Sequence, residues 1–343
     1  MTPVHPWNRS IWEHLVAARA RSTHAWLFAG PAGVGKTRCA MAFARHLTAE
    51  SDPRAGELFD AGTHPDIHVI AREIDTEDSE ALHHRYARRH IEERAKGTKP
   101  KTVITIGQIR HLIEAVSTRV HSSRYKIVLL LDAHMMNINA ANALLKLLEE
   151  PPPDTLLVCV TDQAHRLPAT VRSRCAIVTF SMPSRDGARE WLAGRIDGDA
   201  ADVALNLAGG APLEALRLVE EDRIPLRQQW VKGLEALYSG KSDPASVAEL
   251  GIRKVGLGDA LVLSQKVLVD LVRCRLGAPA DRLFNPDVGQ WLQKRAQRLQ
   301  LQATFDLIDT IGRMRQDLDG PLDPTLSLED TLIRMRWAVT GSA

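Results

Sequence analysis

The chain is 343 residues long, 44% hydrophobic and 25% charged, and its 44 Lys and Arg against 42 Asp and Glu leave a formal charge of +2. That length allows two or three domains, and the mixture is that of an ordinary soluble globular chain, which argues against wholesale disorder and against strong autonomous nucleic-acid binding. The four cysteines, Cys39, Cys159, Cys175 and Cys274, form no CxxC pair, so neither a disulfide framework nor a zinc cluster is expected, and a reducing cytoplasm is the simplest compartment.

The N-terminal MTPVHPWNRS has no apolar h-region, so no secretory signal is expected. Ala25–Ala29 reads as a short apolar strand. GPAGVGKT follows, and then a helix with Ala40, Met41, Ala44 and Leu47 on one face. His64 to Ile70 reads as the entry to a second strand. Arg72 to Lys101 is dense in charge and is expected to be a solvated helix and loop. Ile109, Leu112, Ile113 and Val116 give Gln108 to Val120 an amphipathic helical pattern. Tyr125 to His134 is an almost continuous apolar run ending in Asp132, as in a strand buried on both faces of a parallel sheet. A helix from Asn139 to Glu150 stops at Pro151-Pro152-Pro153. Buried strands at Thr155–Thr161 and Ala176–Phe180 complete an alternating strand and helix pattern. Beyond Met182-Pro183 the pattern is helical, with breaks at Gly198 and Gly209-Gly210. No apolar run, Ile127 to Leu131 included, is long enough to span a bilayer, so no membrane partner is expected.

The sharpest motif is Gly30-Pro31-Ala32-Gly33-Val34-Gly35-Lys36-Thr37, which fits G-x-x-x-x-G-K-[ST] between a strand and a helix. Gly30, Gly33 and Gly35 let backbone N–H groups face a phosphate. Lys36 can reach the outer phosphates, and Thr37 can hold Mg²⁺. The cofactor implied is ATP with Mg²⁺. Asp132, at the end of its apolar strand, has the place of the acid that binds that metal through water. The next residue is Ala133, where an NTPase with an additional strand carries a water-polarising Glu; His134 is no evident replacement.

Ser173-Arg174-Cys175, preceded by LPATV, brings in a resemblance. With NAANALLKLLEEPPPDTLLVCVT (residues 139–161), Gln108-Ile109-Arg110 and the closing LDPTLSLEDTLIRM, the chain resembles the clamp-loader branch of the AAA+ ATPases, densely over residues 24–180 and loosely beyond. The resemblance implies an α/β fold: an AAA+ P-loop domain with a parallel sheet (1–181), a small helical lid (182–222) and an all-helical C-terminal collar (223–343). It implies that Arg174 is an arginine finger reaching a neighbour's ATP, and that Thr161 is the sensor-1 residue. The implied partners are gamma/tau-like and delta-like subunits in a hetero-oligomeric ring. Through that ring the chain would reach the sliding clamp and primed DNA, as a stator during DNA replication.

Two departures bear on activity. Many relatives carry a four-cysteine zinc module between the first helix and the His-Pro-Asp turn; residues 47–66 here contain no Cys, so no zinc is expected. His64, His68, His83, His84 and His90 are not read as ligands: Pro65 interrupts the first pair, and the others sit in a charged, solvent-facing segment. Motor subunits also place an Arg in the lid where this chain has Leu213, with Arg217 one turn later. Loss of that Arg and of the base at 133 implies weak or absent hydrolysis. The alternatives are an ATP-hydrolysing motor subunit of the same loader, a P-loop small-molecule kinase, and a nonenzymatic DNA-binding module.

Overall fold

The computed structural model describes residues 4–18, 23–50, 53–76, 80–91, 99–118, 120, 123–315 and 323–340. It divides into two compact units, residues 1–183 and 184–343. The first is built on five parallel strands: β1 (Ala25–Ala29), β2 (Ile67–Ile70), β3 (Lys126–Leu130), β4 (Thr155–Thr161) and β5 (Ala176–Thr179), in the order β2-β3-β4-β1-β5. β4 therefore lies between the strand that feeds the glycine-rich loop and the strand that leads to Asp132. Every residue of β1, β2 and β3 is buried, His68 and Lys126 together with the apolar ones, as in strands covered on both faces.

Successive side chains point to opposite faces, so each strand feeds two cores. Trp26, Phe28, Ile127, Leu129, Val158 and Val160 pack with Phe43 and Leu47 of the helix Lys36–Ala49. Leu27, Val128, Leu130, Leu157 and Cys159 pack with the helices Ile106–Val116 and Ile138–Glu149. Thr105 and Gln108 form a capping box that starts the first of these two, and the Asn137 side chain caps the second through the Ala140 N–H.

The reading of Arg72–Lys101 as solvated needs correction for its described part. Glu73–Thr76 and Leu82–Ala87 are short helices. Tyr86 is fully buried and donates from its hydroxyl to the Phe59 carbonyl at 3.0 Å, while Arg89 donates to the His64 carbonyl at 2.9 Å. His64, His68 and His90 are buried, with His68 Nδ1 3.3 Å from His90 Nε2; His83 and His84 are half-buried. Tyr86 and Ala87 join the apolar core, with Leu82 packed against it, which the charge count conceals. Residues 77–79 and 92–98 of this stretch lie outside the described residues.

Burial pushes His68 down to about 4 and His90 down to about 3, so both are neutral in the fold. From the ordinary pKa of 6.5 down to those values the unfolded chain binds more protons than the folded one. Stability is therefore full above that ordinary value and falls with acid through the window. Urea unfolding at pH 7 and at pH 4.5 should differ by about 2 kcal/mol or more. His90→Gln, which hydrogen-bonds without titrating, should flatten the dependence. An unfolding midpoint that ignores pH over this range would contradict the assignment.

The second unit is all helical. Helices Arg185–Leu192, Gly198–Leu207 and Pro212–Glu220 enclose a small core of Ala188, Leu192, Ala204, Leu205 and Ala215. A larger core, with Trp230, Leu234, Leu268, Leu271, Leu332 and Met335, lies among six further helices, Arg223–Tyr238, Pro244–Lys254, Leu257–Arg275, Gly289–Ala296, Leu301–Met314 and Pro324–Thr340. Buried Arg227 donates to Asn285 Oδ1 at 2.9 Å, and buried Asp270 accepts the Asn285 N–H at 2.8 Å, which ties the loop before Gly289 to two of these helices. No described helix is long and apolar enough to cross a membrane.

Candidate functional site

The site is set by register. Ala29 pairs with Thr161, and the Gly30 N–H donates to the Thr161 carbonyl at 3.3 Å. The glycine-rich loop thus leaves β1 beside the end of β4, at the carboxyl edge of the sheet, where ligands of open parallel sheets collect. A Cβ at Gly30 would lie 2.1 Å from the Phe180 carbonyl oxygen, so only glycine lets the loop pass. Gly35 has φ +89°, and a Cβ there would meet the His5 ring at 2.6 Å. That ring belongs to an N-terminal clasp. Trp7 Nε1 and Asn8 Nδ2 both donate to the Val34 carbonyl, at 2.9 and 2.8 Å.

The helix Lys36–Ala49 starts at Gly35 with no side chain capping it. Its first-turn N–H groups and its dipole face the loop, an arrangement suited to an anion. Lys36 is 4% exposed and turned back on the loop: its Nζ donates to the Gly30 carbonyl at 2.9 Å and to the Pro31 carbonyl, and lies 2.6 Å from Asp162 Oδ1. Thr37, in the first turn, is half-buried. Gly33 takes a positive φ of 71° inside the loop.

Asp132 stands just past β3 in the left-handed region, at φ 47°, which Asp tolerates better than most residues. Burial raises its carboxyl pKa; Asp162 and Asp75 push the same way, and Arg72 and Lys36 oppose them. Ala133 is fully buried, so that position offers no group to a water molecule. His134 Nδ1 lies 3.1 Å from Thr161 Oγ1, which also accepts the Gln163 N–H at 3.1 Å. Thr161 and His134 therefore share a hydrogen bond whose direction follows the imidazole tautomer. Burial holds the His134 imidazole down at about 4, so it is neutral at physiological pH.

Arg174 is elsewhere. It precedes β5, whose first residue, Ala176, pairs with Trp26 near the start of β1. The loop leaves the other end of β1, four residues or about 13 Å further along. In its own chain Arg174 is held by Glu149, 2.6 Å away, and donates to the Thr170 carbonyl at 2.9 Å. Gly30, Gly33, Gly35, Lys36, Thr37, Asp132 and Thr161 thus share one edge of the sheet, and Arg174 lies at the opposite edge. Leu213 lies in the helix Pro212–Glu220, where Arg217 is engaged by Glu214 at 2.8 Å and by Glu221 at 3.4 Å.

Three groups at the site were not read from the sequence. Asp162 directly follows a predicted strand at the loop's own edge, and that position was a signal. Arg72, which pairs with Asp75 at 2.7 Å and whose charge bears on Asp132, carried none; nor did the His5-Trp7-Asn8 clasp. Among the described residues no group of three or more His, Cys, Asp or Glu side chains could hold a metal ion.

Comparison with known proteins gives matches over both units. Residues 8–184 match the family described as DNA polymerase III, delta subunit, and residues 221–336 match its C-terminal family. DNA polymerase III subunit delta' of Pseudomonas aeruginosa is 34% identical over 260 residues, covering 73% of this chain and 71% of that protein. Subunit delta' of Escherichia coli K12 is 30% identical, covering 67% of this chain and 65% of the relative. Subunit tau of Bacillus subtilis is 21% identical, covering 91% of this chain and 57% of that one. Among solved structures, a gamma-subunit-related protein of Thermotoga maritima aligns at TM-score 0.43 and 18% identity, covering 95% of this chain and 99% of that one.

Proposed function

The chain belongs to the DNA polymerase III delta-subunit family, and from that membership we propose that it is the delta-prime-like stator of the clamp loader, lending Arg174 to the ATP site of a neighbouring subunit. The observation that carries this reading is the separation of Arg174 from the chain's own phosphate loop by the length of β1. A guanidinium at the far edge of the sheet cannot serve its own site but is free to serve an adjacent one. There it would stabilise charge developing on the transferred phosphoryl group. The partners are gamma/tau-like and delta-like subunits, with the sliding clamp and primed DNA reached through the complex.

The chain's own loop suits a nucleotide. Its backbone N–H groups and Lys36 would hold the phosphates, while Thr37 and Asp132 would hold Mg²⁺, which supplies positive charge between them when bound. Lys36 must first leave Asp162. Hydrolysis here is slow, because Ala133 offers no base and Leu213 no cation. Those two residues also count against the motor-subunit alternative. We further propose that the chain folds without zinc, and stoichiometric zinc in the purified protein would overturn that.

Labelled ATP titrated against the wild type and Lys36→Ala tests the nucleotide reading. Saturable binding by the wild type, at least tenfold weaker in Lys36→Ala, with turnover well below that of the assembled loader, is expected. Absence of wild-type binding would make the loop purely architectural. Rapid turnover by the isolated chain would restore the motor alternative.

A further inference from the structure

The second unit contains a cleft of about 200 Å³ between the helices Pro212–Glu220, Arg223–Tyr238 and Leu257–Arg275, with Arg315 at its rim. Its floor is apolar, with Leu218, Leu226, Val262 and Leu263. Its walls carry five cations, and three of these have carboxylate partners. Arg217 pairs with Glu214 at 2.8 Å, Arg223 pairs with Asp259, and Arg227 pairs with Asp287 at 2.5 Å.

The other two differ. Lys266 donates to the Leu207 carbonyl at 2.7 Å and Arg315 to Gln265 Oε1 at 2.8 Å, and neither has a carboxylate within ion-pair distance among the described residues. Burial pushes the Lys266 ammonium pKa down; Glu214 opposes this from a distance, and Arg315 and Arg217 add to it. Two cations lining one cleft, Lys266 and Arg315, thus have no ion-pair partner among the described residues.

We infer that this cleft binds a small organic phosphate, its apolar body on the leucine and valine floor and its phosphoryl group between Lys266 and Arg315. Size and hydrogen bonding narrow the class. A cavity of about 150 Å³ accommodates benzene, so the floor takes a body of roughly one ring, with the phosphoryl group toward the rim. Lys has three N–H donors and Arg five, so with one of each already used about six remain for the three phosphoryl oxygens. A phosphate monoester also carries about −1.5 to −2 at neutral pH, which matches two cations better than a carboxylate does.

Calorimetric titration of the full chain with phenyl phosphate, inorganic phosphate and phenol tests the assignment. Phenyl phosphate should saturate with a Kd of about 0.1 mM, and each half-ligand should bind at least tenfold more weakly. Lys266→Met and Arg315→Gln should each weaken phenyl phosphate about tenfold or more, while Lys36→Ala leaves it unchanged. Inorganic phosphate or phenol binding as tightly would remove the organic phosphate from the assignment. Loss of binding in Lys36→Ala would move the ligand to the phosphate loop and overturn the site, as would no saturation by 10 mM, on the order of a hundred times the expected Kd. Should Lys266→Met fail to fold, Arg315→Gln decides: it lies at the exposed rim, and unchanged affinity there ends the proposal.

Discussion

Arg174→Ala should leave the isolated chain folded, with its own ATP binding intact, and should lower the clamp- and DNA-stimulated ATP turnover of the reconstituted loader. At the one site it serves, the loss should be about 10³-fold, the lower range for a guanidinium supplied in trans. Folding is spared because the Arg174–Glu149 pair is half-exposed on both sides, and such pairs contribute about 0–1 kcal/mol. Lys36→Ala should affect loader turnover less than Arg174→Ala does. Arg174→Lys should not restore the rate, since an ammonium lacks the planar fork. Glu149→Gln, which frees the guanidinium, should not lower turnover. Steady-state ATPase with melting temperature as the folding control checks all four, and unchanged turnover with Arg174→Ala in an intact complex would end the reading.

The second large effect lies at the chain's own loop. Asp162→Asn should tighten ATP binding by the isolated chain about tenfold. In the fold Lys36 is bound to Asp162 at 2.6 Å, and nucleotide phosphates must displace that carboxylate to engage the ammonium. The substitution removes both the competing partner and a negative charge facing the phosphates. Asp162 is 33% exposed, so solvent screens the pair and the gain stays near one decade, about 1.4 kcal/mol. Lys36 keeps its bonds to the Gly30 and Pro31 carbonyls, so no buried cation is stranded. Titration with labelled ATP decides: weaker binding in Asp162→Asn would mean that the carboxylate helps to hold the nucleotide and is no latch.

What could be read from the sequence, and what could not, follows from how each feature is encoded. The glycine-rich loop is a continuous run whose chemistry is local, and the strands at 25–29, 126–130 and 155–161 declare themselves by apolar runs that only a sheet covered on both faces can bury. Asp132 was picked out because it ends such a run, and Thr161 through the family resemblance. The Lys36–Asp162 contact joins residues far apart in sequence, and it exists only because β4 lies next to β1. Charge density misled at 72–101, since a histidine loses its proton on burial and Tyr86 and Ala87 among the charges turn into the core; neither event shows in a count of charges. The cleft with Lys266 and Arg315 was equally hidden. Each is one cation among many until the fold gives it no carboxylate partner among the described residues.

The N-terminal clasp has a practical consequence. Trp7 is fixed by its indole N–H to the Val34 carbonyl, in the middle of the phosphate loop. A change in the loop's path must therefore change the surroundings of that ring. The chain has seven tryptophans, at 7, 12, 26, 191, 230, 291 and 337, each in its own surroundings. Fluorinated tryptophan makes this difference visible as separate ¹⁹F resonances, with Trp7→Phe identifying the one that belongs to the clasp. The protein carries its own spectroscopic gauge of loop occupancy, readable inside a large assembly without attaching a dye.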